Sequence, residues 1–248
     1  MPSSEPLSPP VSPFHNLVDL IAAPATALRR IATVQARSWW FPALLAVAGG
    51  LLYLAVTLDD IAAETARQMQ MQLSSMPAAQ VETAQPLLER FSSPAFLFAS
   101  GAVALLVGLV ASWLLAAGLL YFGAAILGTS LPFSRWWTPV VWTWVPFALR
   151  GFVQAAWSLV NGTVIHYTGF SYLVASGDRM ADASNPLFVL AAQVDLWALW
   201  HGVLIFVLLR TMARLRRGSA AFLTLFYAVV ALGLRVIPAL MGGLFRLG

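Results

Sequence analysis

The chain contains no cysteine and no lysine, and only 10% of its 248 residues are charged. Without cysteine, disulfides, thiolate nucleophiles and cysteine-ligated metals are excluded. A charged share near 10% lies far below the roughly 25% of soluble domains. The net charge of +4 is carried by arginines scattered over loop ends rather than gathered on a soluble face, so no nucleic-acid partner is expected. The exclusive use of arginine is typical of a GC-rich genome and indicates a bacterial source.

What the chain has in abundance is long apolar stretches, and hydrophobic residues make up 60% of it. A hydrocarbon core about 30 Å thick requires about 20 helical residues. Five stretches meet that length, at residues 39–58, 94–127, 137–160, 187–209 and 221–240. The sequence therefore predicts an all-α polytopic membrane protein, a bundle of five transmembrane helices. The second stretch is longer than a bilayer needs and should protrude or break, with Gly118, Gly123 and Gly128 as the candidate breaks.

The arginines predict the orientation of the bundle. Three arginines precede the first stretch, Arg135 lies between the second and third, and four lie at residues 210–217 between the fourth and fifth. The alternate links carry more acidic residues, among them Asp59, Asp60 and Glu64. By the positive-inside rule the N-terminus is cytoplasmic and the C-terminus lies outside.

Two segments precede the membrane domain. Residues 1–13 are rich in Ser and Pro and predict a disordered tail. Residues 14–37 predict a cytoplasmic amphipathic helical segment, with Asn16 as N-cap and a second helix from Pro24. Such a segment lies in the headgroup plane, or alternatively packs on the bundle as a solvated helix. In the first case three basic side chains contact lipid headgroups: Arg29, Arg30 and Arg37.

Residues 38–248 form the predicted five-span membrane domain, with an outer helical cap at residues 59–93. Within the second apolar stretch, small residues recur every fourth position and predict a groove in which another backbone approaches closely. This packing stripe consists of Ala104, Gly108, Ser112 and Ala116. It seats either a neighbouring helix of the same chain or a second copy of the protein.

Ionisable side chains inside apolar stretches are costly and mark functional or structural sites. Arg150, Asp195 and Arg235 fall at similar predicted depth and form an intramembrane polar cluster with His201. Pro146 cannot donate a backbone hydrogen bond and should kink the third stretch one turn before Arg150. Two interpretations stay open. The cluster either fixes helix packing, with Asp195 neutralising one Arg, or forms a polar site for an ion, lipid headgroup or substrate.

No catalytic signature is present. The chain lacks HExxH, GxSxG and a glycine-rich phosphate loop with lysine, and it has no histidine or carboxylate set at metal-ligand spacing. We therefore expect no enzymatic activity, no cofactor and no metal site.

Three segments resemble the Yip family, five-span membrane proteins whose eukaryotic members interact with Ypt and Rab GTPases. They are LVDLIAAP at residues 17–24, LGTS at residues 127–130, and DLWALWHG at residues 195–202. The acidic cytoplasmic motif of the eukaryotic branch is absent, and the resemblance is to the bacterial branch. It implies a membrane protein without known catalysis.

The resulting functional hypothesis is a non-enzymatic membrane scaffold or accessory subunit. Its expected partners are membrane lipids and another membrane protein or a second copy of itself. The alternative is a small transporter or channel component that uses the intramembrane cluster. The expected location is the plasma membrane of a bacterium, or an endomembrane if the source is eukaryotic.

Overall fold

A computed structural model describes residues 12–33 and 37–244, and within those ranges the chain is all α-helix with no strand. The first six helices are α1 Pro13–Ala22, α2 Pro24–Thr33, α3 Trp40–Val56, α4 Leu58–Ser74, α5 Ala78–Ser92 and α6 Pro94–Ile126. The remaining six are α7 Ser134–Trp142, α8 Val145–Asn161, α9 Arg179–Ala183, α10 Pro186–Gln193, α11 Leu196–Thr211 and α12 Arg217–Leu244.

Two described helices are each long and apolar enough to cross a membrane: α6, and α12 over Arg217–Ile237. Two further pairs of consecutive helices are long and apolar enough only when both helices of the pair are counted together, and each pair is bent at the break between them. The α3 and α4 axes differ by 57°, and the α10 and α11 axes by 64°. The described chain thus has two candidate spans, or up to four if each bent pair counts as one. The protein is an all-α membrane protein with two to four candidate membrane-spanning helices.

The third apolar stretch of the sequence is divided rather than kinked. Helix α7 ends at Trp142 and α8 begins at Val145, with Pro146 in the first turn of the new helix. Pro146 has no N–H to donate to the Trp142 carbonyl, so the helical ladder stops there. Phe147 donates its N–H to the Trp144 carbonyl at 3.0 Å, which leaves the Thr143 carbonyl available to another partner.

Of the two alternatives predicted for the second apolar stretch, protrusion or a break at a glycine, no break occurs at Gly118 or Gly123. Helix α6 is continuous over 33 residues, about 50 Å of helix, and ends just before Gly128. Since a hydrocarbon core is about 30 Å thick, part of α6 extends beyond it. The flanking residues are good helix formers, and an isolated glycine costs only about 1 kcal/mol.

The N-terminal helices form a bonded pair. Helix α1 is capped by Ser12, whose hydroxyl accepts from His15 N–H, so the prediction of Asn16 as N-cap is wrong. Pro13 therefore belongs to α1, and residues 1–11 of the predicted tail lie outside the described residues. Arg30 on α2 donates to Asn16 Oδ1 at 2.9 Å and to Asp19 Oδ2 at 2.5 Å. The hydrogen bond from Arg30 lowers the pKa of Asp19.

Helices α3 and α8 pack with their backbones in direct contact. A Cβ added at Gly151 would lie 2.8 Å from the Gly49 carbonyl carbon, and one added at Gly49 would lie 2.7 Å from the Ala148 carbonyl oxygen. Only glycine permits this approach. Near one end of the pair, Trp142 on α7 donates its indole N–H to Ser38 Oγ at 3.0 Å. These contacts hold α7 and α8 against α3 and present Arg150 to the remaining helices.

Candidate functional site

The candidate site lies where the fourth apolar stretch is interrupted. Helix α10 ends at Gln193, Val194 and Asp195 have extended backbone, and α11 begins at Leu196. Asp195 is the N-cap of α11, and its Oδ1 accepts from Ala198 N–H at 2.8 Å. Aspartate is among the best N-cap residues because it satisfies an otherwise unpaired amide of the first turn. The acidic residue thus begins a helix at the break.

The other side of the break is closed by the loop at residues 168–170. Phe170 N–H donates to the Ala191 carbonyl at 3.0 Å, and Thr168 Oγ1 donates to the Ala192 carbonyl at 3.1 Å. Between them, Gly169 has φ of +56°, and a Cβ there would lie 2.5 Å from the Val194 carbonyl oxygen. Irregular backbone within a membrane protein is tolerated where protein groups satisfy it. This loop supplies such groups to α10.

Asp195 forms an ion pair with Arg150 of α8. Arg150 Nη1 lies 3.0 Å from Asp195 Oδ2, and the two side chains are 17% and 13% exposed. The carboxylate therefore uses one oxygen for the helix cap and the other for the guanidinium. Such pairing is what permits two charges to leave water. The structure brings together the two side chains that the sequence places at matching depth.

Arg235 is hydrogen-bonded to an amide side chain. Its Nη1 donates to Gln193 Oε1, at the last residue of α10, and the Arg235 side chain lies at the surface of the chain. Within the predicted cluster, Arg150 pairs with Asp195, whereas Arg235 pairs with an amide. Gln193 was not identified in the sequence, although a polar residue beside Asp195 in an apolar stretch is a signal for it.

His201 on α11 links three helices. Its Nδ1 lies 2.7 Å from the Thr143 carbonyl that the α7–α8 break leaves available, and its Nε2 lies 2.9 Å from Tyr227 Oη on α12. The imidazole is 5% exposed, and both ring nitrogens are used in these hydrogen bonds. Neither partner was identified from the sequence. The Thr143 carbonyl is available only because α7 and α8 are separate helices, and Tyr227 is close only because α12 packs beside α11.

A cavity of about 350 Å³ lies beside these groups, between α6, α8, α11 and α12. Its lining is largely apolar, with Gln193 and Arg235 among the few polar members and His201 and Tyr227 along its wall. Arg150 and Asp195 do not line it. Trp144 does, and its buried indole N–H has no hydrogen-bond partner among the described residues. Because Arg235 is a donor in this apolar lining, the cavity suits an apolar molecule that carries an acceptor oxygen.

The packing stripe on α6 is used at one end only. Ala116 is fully buried in the core, and Ser112 lines the cavity. Ala104 and Gly108 are exposed, and a Cβ added at Gly108 would meet nothing within 4 Å. The described chain thus seats no helix of its own on that half of the stripe.

The three arginines predicted at headgroups occupy different environments. Arg30 is held by Asn16 and Asp19, whereas Arg29 and Arg37 are exposed. Arg30 therefore serves to join α1 to α2 rather than being free for lipid. Within residues 12–33 and 37–244 there is no group of three or more histidine or acidic side chains arranged to hold a metal ion.

Comparison with known families identifies the chain. A family model described as the Yip1 domain matches residues 18–239. The chain belongs to the Yip1 family. Four helices that surround the cavity lie within the match: α6, α8 and α11 in full, and α12 up to residue 239. A search of curated proteins and a search of solved structures found no significant match to this Yip1-family protein.

Proposed function

We propose that this Yip1-family protein is a non-enzymatic integral membrane scaffold or accessory subunit that binds lipids or other membrane proteins through its helical bundle. The cavity between α6, α8, α11 and α12 carries the proposal. Its walls are apolar, and its polar end is formed by Arg235 and Gln193. An acyl chain with an ester oxygen has this combination of groups.

The ion pair supports the same interpretation. Arg150 and Asp195 neutralise each other away from the cavity lining, and Asp195 also caps α11. A pair used in this way fixes the position of a broken helix against α8. It leaves no acidic group in the cavity that would select a cation.

The alternative function is a small transporter or channel component. The 64° bend between α10 and α11 favours it, since interrupted helices with polar groups at the break form substrate sites in many transporters. In that case the cavity holds water and exchanges its contents with solution.

We place the five apolar stretches of the sequence across the plasma membrane of a bacterium, with the N-terminus in the cytoplasm. The positive-inside rule supports this orientation. The packing of Arg29, Arg135 and Arg210 around one groove at the end of the bundle supports a common side for the arginine-rich segments. Helices α4 and α5 then form a cap on the opposite side.

Lipid retention tests the proposed function. The protein is purified in a mild uncharged detergent, and bound lipids are identified by native mass spectrometry. Ala231→Phe places a ring in the cavity from α12, while Val229→Phe adds the same ring at an exposed position of the same helix. We expect wild type and Val229→Phe to retain lipid and Ala231→Phe to lose it. Equal retention by both variants, or none by wild type, contradicts the proposal.

Water access separates the two functions. Ser112 lines the cavity, and the chain has no native cysteine, so Ser112→Cys provides a single reporter. A lipid-filled cavity leaves this thiol unreactive toward a membrane-impermeant methanethiosulfonate reagent in intact membranes. Rapid modification, slowed by Ala231→Phe, favours the transporter.

A further inference from the structure

The arginine-lined groove at the end of the bundle lies where α2, the α6–α7 link and the α11–α12 link meet. It has a volume of about 860 Å³. Four arginines from three parts of the chain line it: Arg29, Arg135, Arg210 and Arg214. The loop at residues 128–131, with the sequence GTSL, forms another wall. We propose that this groove, which is separate from the apolar cavity, is a binding site for a phosphate group.

The balance of charge in the groove carries the proposal. Among its lining residues there are four guanidinium groups and no carboxylate. Like charges brought to one concave surface repel each other, and an anion bound between them relieves that repulsion. Nothing in the described part of the chain supplies a negative charge to the lining of this groove.

Two of the four arginines are held in place and two are available. Arg135 donates to the Ala32 carbonyl at 3.3 Å, and Arg210 donates to the Leu215 carbonyl. The guanidinium groups of Arg29 and Arg214 make no hydrogen bond or ion pair with any described residue. The fixed pair shapes the groove and the available pair can form bidentate hydrogen bonds to phosphate oxygens.

Backbone conformation supports a specific role for Arg214. It is the one non-glycine residue with positive φ in the described chain, at 54°. The left-handed conformation costs an L-residue with a long side chain roughly 1–2 kcal/mol. Glycine or asparagine would adopt it with less strain, so a local folding requirement does not account for arginine here. The need to place a guanidinium in the groove accounts for arginine at this position.

The hydroxyl-bearing loop adds donors of the appropriate kind. Thr129 Oγ1 donates to the Ala213 carbonyl at 3.3 Å and fixes the loop against the residue before Arg214. Ser130 lines the same wall. Arginine together with hydroxyl and backbone N–H groups is the set of donors that phosphate oxygens accept from. The phosphate can belong to a phospholipid headgroup or to a soluble phosphorylated compound, and the experiment distinguishes these sources.

Binding by the purified full-length protein in dodecyl maltoside tests the site. The probes are dioctanoyl phosphatidic acid, inorganic pyrophosphate and uncharged dioctanoylglycerol. The test variant is Arg29→Gln with Arg214→Asn, since asparagine tolerates the left-handed backbone. The control is Arg216→Gln with Arg217→Gln, which removes the same charge from exposed neighbours outside the groove.

We expect phosphatidic acid or pyrophosphate to bind while dioctanoylglycerol does not. The test variant should weaken binding about 30-fold, and the control variant should change it less than about threefold. Binding of phosphatidic acid alone identifies a lipid headgroup as the source, and binding of pyrophosphate identifies a soluble one. If the double variant does not fold, Arg29→Gln alone replaces it as the test variant, because it changes an exposed and unbonded side chain. This single variant should weaken binding about fivefold. Absence of binding by both phosphate probes, or equal loss in the test and control variants, overturns the proposal.

Discussion

The contact between α3 and α8 gives the sharpest stability prediction. In Gly151→Ala the new Cβ lies 2.8 Å from the Gly49 carbonyl carbon and 2.9 Å from its oxygen, whereas ordinary contact begins at 3.4 Å. The obstruction is backbone, so no side chain can rotate away and the helices must separate. Overpacking of this kind costs about 1–3 kcal/mol.

Gly118→Ala is the matched control. Gly118 is also helical, in α6, and a Cβ there meets nothing within 4 Å. Both variants gain the same helix propensity, about 0.5–1 kcal/mol, so the difference between them isolates the packing cost. Thermal unfolding of the purified protein, followed by tryptophan fluorescence, should place Gly151→Ala about 2–12 °C below Gly118→Ala. Equal melting temperatures would refute the close crossing of α3 and α8.

Three further predictions follow from other parts of the structure. Because hydrogen bonding lowers the pKa of Asp19, its stabilisation of the α1–α2 pair is complete above the ordinary value of 3.8 and is lost as pH falls through the lowered pKa. Asp19→Asn should therefore speed hydrogen exchange in α1 at pH 7, and the difference from wild type should shrink as pH is lowered below 3.8. Tyr227→Phe removes a hydroxyl bonded to a buried imidazole and should cost about 1 kcal/mol in thermal unfolding, whereas Tyr121→Phe should be near neutral. A cysteine at Ser75 should react with an impermeant maleimide in intact cells and one at Ser219 should not, and the reverse pattern would show that the proposed orientation is inverted.

Apolar length and the cost of buried charge made much of the architecture predictable. The two longest helices, α6 and α12, follow from long, largely apolar sequence. The approach of Arg150 to Asp195 follows from the need of an intramembrane acid for a basic partner at its own depth. The division of the third stretch follows in part from Pro146, which removes one helical hydrogen bond.

The remainder depends on contacts between distant segments. Asp195 could have been recognised as an N-cap, but the apolar residues on both sides of it favoured one continuous helix. The link between Gln193 and Arg235 requires knowledge that α10 stops at Gln193 and passes α12. The arginine groove is assembled from links separated by more than 80 residues, as the Thr129–Ala213 contact shows. The residue pattern within any one segment does not show which distant segments meet in the fold.

The Arg150–Asp195 ion pair holds the broken fourth stretch to α8, and a double-mutant cycle tests it directly. Asp195→Asn retains an N-cap oxygen for α11 and removes only the charge, so it isolates the pairing with Arg150. Removing one partner of a buried pair costs about 3–5 kcal/mol, and Asp195→Asn with Arg150→Gln should recover part of that loss.

Thermal unfolding in nanodiscs provides the measurement. We predict a coupling energy of about 1–3 kcal/mol between Asp195 and Arg150, and a smaller one between Asp195 and Arg235, whose partner is Gln193. Coupling near zero for Asp195 and Arg150 would contradict the structural role of the pair and favour a hydrated, ligand-binding site at the break.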